Sequence, residues 1–237
     1  MARGGARGNT ELTLLKVHRV DMTYYATLEF PAFELGGRWA EMQSAIYARL
    51  SRFNLGLGDI KVESSSASPG DVLIACWLLG YGAVVRYRLD RVEVWSNSAR
   101  TVADTGLTLE MVQRAMEVVR IVAASSSVSA HSVNFDIHGS YQGAAAAAAQ
   151  VATYVTKRPE GEPALEPSGV SFLCDFAGGN GRGSIVLERS AVVTEGAFLR
   201  VTSEQPGSVS EIDAVGKANR FLESSMARLG MRLDWSG

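Results

Sequence analysis

Apolar positions along this chain switch between a period near two and a period near 3.6, which predicts strands and helices in one mixed fold. Residues Thr10 to Phe30 are rich in Leu, Val, Thr and Tyr and predict one long strand or two short ones. After Gly36-Gly37, residues Trp39, Met42, Ile46, Leu50 and Phe53 recur at helical spacing. They predict a helix over Arg38 to Phe53 with one buried face, ended by Asn54-Leu55-Gly56. Short strands are expected at Ile60 to Ser64, Val72 to Leu79, Ala83 to Leu89 and Val92 to Ser96. In the third of these, Val85, Tyr87 and Leu89 alternate with Val84, Arg86 and Arg88, as in an antiparallel sheet with one wetter face.

A second helix is expected from an N-cap at Thr108, with Glu110 in its first turn and Leu109, Val112, Met116, Val119 and Val122 on its apolar face. His131 to Ile137 reads as a strand, with Val133, Phe135 and Ile137 on one side and Asn134, Asp136 and His138 on the other. The order then repeats. Ala144 to Val155 favours helix. Three strands follow, at Gly169 to Phe176, Gly183 to Glu188 and Ala191 to Val201. Ser208 and Glu211 have capping-box spacing before a long helix, Gly230 suits its C′ position, and Met231 to Trp235 closes the chain as a strand. The expectation is an α+β fold of two pseudo-repeated halves, each an antiparallel sheet with helices packed on one face. Residues 1–10 read as a flexible tail, 11–141 as the first half and 142–237 as the second. Whether two sheets join into one larger sheet or a barrel-like wrap stays open at this level.

Composition narrows the function classes. With 46% apolar and 20% charged residues, the chain has the makings of a packed core. A net charge of -2 argues against a dominant phosphate-binding role, so no nucleic-acid partner is expected. No apolar run is long enough to span a bilayer and no signal-peptide pattern opens the chain, so no membrane partner is expected and the cytoplasm is the expected location. Cys76 and Cys174 each sit in an apolar run and read as buried free thiols.

Motifs that carry chemistry are sparse. The run Gly178-Gly179-Asn180-Gly181-Arg182-Gly183 leads into a strand and not a helix, so it reads as a hairpin loop and not as a phosphate cradle. His131 and His138 are an odd number of residues apart on one strand and point to opposite faces, so no metal site is expected. No Gly-x-Ser-x-Gly elbow occurs, no catalytic set is visible, and no cofactor is expected. The best polar constellation is Asn134, Asp136 and His138 on one strand face, ending near Tyr141, with Arg86 and Arg88 sharing a face of another strand. If the strands belong to one sheet, these six residues line a surface able to hold a carboxylate or amide ligand. The plainer reading is a solvated sheet face with ordinary ion pairs.

The stretch Tyr87-Arg88-Leu89-Asp90-Arg91-Val92-Glu93-Val94-Trp95, followed by a helix and Ser132-Val133-Asn134-Phe135-Asp136-Ile137, resembles the first half of a sporadically distributed bacterial family of two-half α+β proteins with no established activity. It is also similar, more distantly, to non-catalytic peptide-binding accessory proteins that stand beside ribosomal-peptide natural-product enzymes. The likeness is one of element order and a few strand residues, and no site residue carries over. It implies binding without chemistry. The leading expectation is therefore a non-catalytic protein that binds a peptide or protein segment at a sheet edge or in a groove between the halves. The alternatives are a small-molecule enzyme using Asp136, His138 and Arg86, and a structural homo-oligomer, with a homodimer left open.

Overall fold

The alternation at the start of the chain makes one strand, β1 (Thr13–Leu28). The computed structural model describes residues 13–63, 73–97, 105–141, 169–176, 181–194 and 196–235. After β1 come a short helix α1 (Glu34–Gly37), helix α2 (Trp39–Leu50) and strands β2 (Ile60–Glu63), β3 (Leu73–Leu78), β4 (Ala83–Tyr87) and β5 (Arg91–Ser96). Helix α3 (Thr105–Val122) leads to β6 (Val128–Tyr141), then β7 (Gly169–Asp175), β8 (Arg182–Arg189) and β9 (Ala197–Pro206). Helix α4 (Glu211–Arg228) and β10 (Met231–Asp234) complete the order.

The described strands form one ten-stranded sheet in the order β2-β3-β4-β5-β1-β6-β9-β8-β7, with β10 beside the start of β1. All pairings are antiparallel except that of β10 with β1. The question left open by sequence is thus answered by a single sheet. It runs unbroken through residue 141, because β6 pairs with β1 on one side and β9 on the other.

Alternation decides which face is dry. On β1, Val20, Met22, Tyr24 and Ala26 are buried, and on β6, Val133, Phe135 and Ile137. Val92 and Val94 of β5 and Leu199 and Val201 of β9 extend the same apolar layer. Helix α3 packs over β5, α4 packs over β6, β9 and β10, and α2 packs against α3. The periodic apolar face of α2 is buried as expected at Met42, Ile46 and Leu50. A 3-10 turn (Ser51–Phe53) continues it to Asn54, whose left-handed backbone (φ 60, ψ 38) stops the helix.

Several boundaries differ from the sequence reading. Helix α3 begins by Thr105, so Thr108 is an interior residue, fully buried, and not the cap. Its side-chain oxygen finds no hydrogen-bond partner, which suits a threonine taken into an apolar layer and not one closing a helix end. The cap of α4 is Ser210, whose Oγ accepts from the Asp213 amide at 3.1 Å, and not Ser208. Residues 191–194 form bends, and the strand expected there starts only at Ala197. Strand β6 is twice as long as its clearest alternation, because its polar ends still pair with β1 and β9. Gly230 adopts φ 65 after α4, as its C′ role requires. The alanine-rich 144–155 segment and residues 178–180 of the glycine run lie outside the described residues. Strands β7 and β8 pair down to Asp175↔Arg182, the arrangement of a hairpin.

Candidate functional site

The face of the sheet opposite the helices carries the polar alternates. Cross-strand register sets them in rows. Arg86, Glu93, Tyr25 and Ser132 form one row, and Trp95, Thr23, Asn134 and Thr202 the next. Asp21, Asp136 and Arg200 form a third, and Arg19, His138 and Phe198 a fourth. Asn134, Asp136 and His138 therefore share one face with Arg86. Arg86 stands three strands away on β4, about 14 Å at ordinary strand spacing, so the two groups flank a broad surface and do not converge on a point. Arg88 lies past the end of β4, in the turn where its amide donates to the Arg91 carbonyl at 2.8 Å. Tyr141 sits on the helix side of the sheet, buried, with its hydroxyl 3.7 Å from Met231 Sδ. The odd step from His138 to Tyr141 puts it there, so it takes no part in the polar face.

The charges on this face are satisfied among themselves. Arg200 donates twice to Asp136, at 2.7 Å from Nε and from Nη2. Arg19 does the same for Asp21, at 2.7 and 3.1 Å. Arg86 pairs with Glu93 and lies over the Trp77 ring at 6.0 Å. The two aspartates face each other across β1 and β6, and each is neutralised by its own arginine. His138 Nδ1 is 2.9 Å from Ser190 Oγ, and its ring lies 4.9 Å from Phe198. Burial and then Arg19 hold the His138 imidazole below its ordinary pKa, against the pull of Asp21 and Asp136. A serine beside a neutral histidine suggests a nucleophile and base. Here Ser190 Oγ also accepts the amides of Val192 and Val193, at 3.1 and 3.0 Å. Its lone pairs are committed to the turn before β9, so the hydroxyl braces a loop and is not presented to a substrate.

His131 lies on the other face of β6, as the odd spacing requires. It is buried, with Tyr24 Oη 2.6 Å from its Nδ1, and burial holds its pKa low. Among the described residues no group of His, Cys, Asp or Glu is arranged to hold a metal ion. Both cysteines are free thiols. Cys76 on β3 is fully buried and its thiol is pushed up to about 12 by that burial, whereas Cys174 on β7 is only half-buried. Among the described residues no helix is long and apolar enough to cross a membrane.

The feature that sequence reasoning missed lies at the β7 end of the sheet. On the helix side of β7, Phe172, Cys174 and, just beyond, Phe176 are partly buried against the core. A cavity of about 540 Å³ opens between this strand and α4, lined by Cys174, Phe176, Gln205, Lys217, Arg220 and Arg228 among others. Its apolar floor is an edge-on pair, Phe176 and Phe221, with ring centres 5.0 Å apart. The Phe221 ring lies directly on β8, because a Cβ at Gly183 would come within 2.3 Å of it. On the other side of β7, Ser171 and Leu173 point to solvent, and Leu173 is 88% exposed, while Asp175 at the strand end is exposed at the rim of the cavity. Two signals in the sequence foreshadow this end: a seven-residue strand without Lys, Arg or Pro, and Lys217, Arg220, Ser224 and Arg228 at helical spacing. No protein-family model matches the chain, and no curated protein proves similar to it.

Proposed function

We propose that this protein binds a peptide or protein segment without transforming it, and takes that segment as an added strand along β7. The observation that carries this reading is the make-up of the β7 edge. Among the described strands β7 stands last in the sheet, with none on its outer side. It is seven residues long, has an exposed leucine at its fifth position, and lacks the Lys and Pro residues that usually guard an edge against pairing. An extended segment laid there gains main-chain hydrogen bonds, and its alternate side chains fall into the β7–α4 cavity, which supplies selectivity.

The topology supports a paired reading of the chain. We read residues 13–122 and 128–228 as two repeats, with β6-β9-β8-β7 echoing β1-β5-β4-β3 about the central β1–β6 pair. In the first repeat, β2 lies antiparallel along the outside of β3. An incoming segment on β7 would stand where β2 stands on β3. The likeness to peptide-binding accessory proteins of natural-product pathways agrees with this reading. The absorbed charges of the Asp136 face and the committed Ser190 hydroxyl give the enzyme alternative no support.

The test is amide hydrogen exchange with and without a synthetic ten-residue peptide of alternating Val and Thr. Protection confined to β7 and its hairpin, lost in Leu173→Lys and kept in Val62→Lys, is the expected result. Protection elsewhere, or a concentration-dependent dimer that Leu173→Lys abolishes, would assign the edge to something other than a peptide.

A further inference from the structure

We infer that the segment taken up along β7 is acidic, its carboxylates meeting a row of cations on α4 that have no ion-pair partner among the described residues; this inference rests on the reading of β7 as the binding edge. The argument begins with how the helices treat their arginines. On and beside α2 and α3, Arg38, Arg49, Arg52, Arg114 and Arg120 each pair with a glutamate. On α4, Lys217, Arg220 and Arg228 enter no ion pair among the described residues. Among the described residues, Lys217 Nζ makes one long bond of 3.5 Å to Gln205 Oε1. All three line the cavity beside β7.

Their spacing fits an extended chain. Residues 217, 220, 224 and 228 follow one another at i+3, i+4 and i+4, so they form a single stripe on α4. Lys217 and Arg228 are about 16 Å apart along the helix axis. A strand covers that length in about five residues, three of which face the same way. An added strand with acids at alternate positions would thus set several carboxylates against this stripe. Arginine favours such partners because its planar fork binds a carboxylate through two donors. Between the cations the floor is apolar, Phe176 against Phe221, and accepts an apolar side chain among the acids. One acid, Asp175, also lines the cavity, 3.6 Å from Arg182 and largely exposed, and the three cations outnumber it. Glu223 lies off the stripe and is exposed. A site of net positive charge on a chain of net charge -2 is a local device, which the overall balance hides.

The experiment uses the full chain and three fluorescein-labelled ten-residue peptides with the same Val and Phe positions, whose alternate residues are Glu, Gln or Lys. Fluorescence anisotropy is read at low and high salt. The Glu peptide is expected to bind at least tenfold more tightly than the Gln peptide, with an advantage that shrinks as salt rises. The triple variant Lys217→Gln, Arg220→Gln, Arg228→Gln should erase that advantage, so that it binds the Glu and Gln peptides with equal affinity. Equal binding of all three peptides, or a preference for acid that survives the triple variant, overturns the inference and leaves the edge reading standing. No binding of any of the three overturns both. A single-stranded oligonucleotide that binds more tightly than the Glu peptide also overturns the inference, since the cations would then serve phosphates.

Discussion

The sheet ends in two strands that are built differently. At one end β2 offers four residues, Ile60-Lys61-Val62-Glu63, with a charge at every second position and a partly exposed valine (51%). At the other end β7 offers seven, Gly169-Val-Ser-Phe-Leu-Cys-Asp, with one charge at its last position and a leucine that is 88% exposed. Short, charged edges resist pairing with other chains, and long apolar ones invite it. The helix layer differs as well: among the described residues the arginines on and beside α2 and α3 are bound to glutamates, and the cations of α4 beside β7 are not. Among the described residues the two ends of the sheet therefore differ in length, in charge and in the apolar surface they expose.

The comparison breaks most severely at the ring that seats the β7 end. Phe221 lies on β8 and forms the cavity floor, so Phe221→Ala should cost about 3–5 kcal/mol of unfolding free energy in a denaturant titration. Amides of the β7–β8 hairpin should then exchange much faster, and those of β2–β3 only in proportion to the global loss. A uniform rise at both ends would mean that the β7 end has no local dependence on this ring. Next in size is the paired substitution at the edges themselves. Leu173→Lys and Val62→Lys should each change stability by no more than about 0.5 kcal/mol, since both side chains are largely exposed. Only Leu173→Lys should weaken peptide binding, by tenfold or more, as read by calorimetric titration.

A smaller effect concerns pH, and it is centred on β6 between the two ends. His131 and His138 both have folded-state pKa values held below the ordinary 6.5, first of all by burial. The unfolded chain then binds protons that the folded chain refuses, so stability is full above about 6.5 and falls as pH drops below it. The melting temperature should decline between pH 7 and pH 5, and the decline should be shallower in His131→Gln. An unchanged slope in that variant would show that His131 is not the group refusing the proton. The smallest effect is expected at Asp136. Its pair with Arg200 is part-exposed, so Asp136→Asn should cost no more than about 1 kcal/mol and leave peptide binding intact. A large loss of binding there would move the site to the polar face.

Sequence periodicity made much of this legible. The buried stripe of α2 and its stop at Asn54 follow from local spacing and one residue tolerant of left-handed backbone. The division of β6 into a dry and a wet face, and with it the separation of His131 from His138, follows from strand alternation alone. What periodicity does not encode is which strand lies beside which. Val84 occupies an alternate that reads as wetter, and it is fully buried because its cross-strand neighbours on the open face are Trp77 and Trp95. Arg86 and Asp136 share one face of the sheet, but their separation depends on β5 and β1 coming between them. The cavity beside β7 was hidden for the same reason. It needs a stripe on α4 and an edge strand distant in sequence to meet, and neither is unusual by itself. The cap of α4 at Ser210 in place of Ser208 is a local difference, where one hydroxyl near a helix start competes with another two residues away.

The most direct test of the β7 edge as a binding site uses the two thiols the chain already has. Cys174 lines the cavity and Cys76 is sealed under the helices, so a neutral maleimide should modify Cys174 in the native protein and reach Cys76 only on unfolding. A saturating amount of the alternating Glu peptide should slow Cys174 modification at least tenfold. Modification of Cys174 at an unchanged rate, with the peptide shown to be bound, would contradict the account.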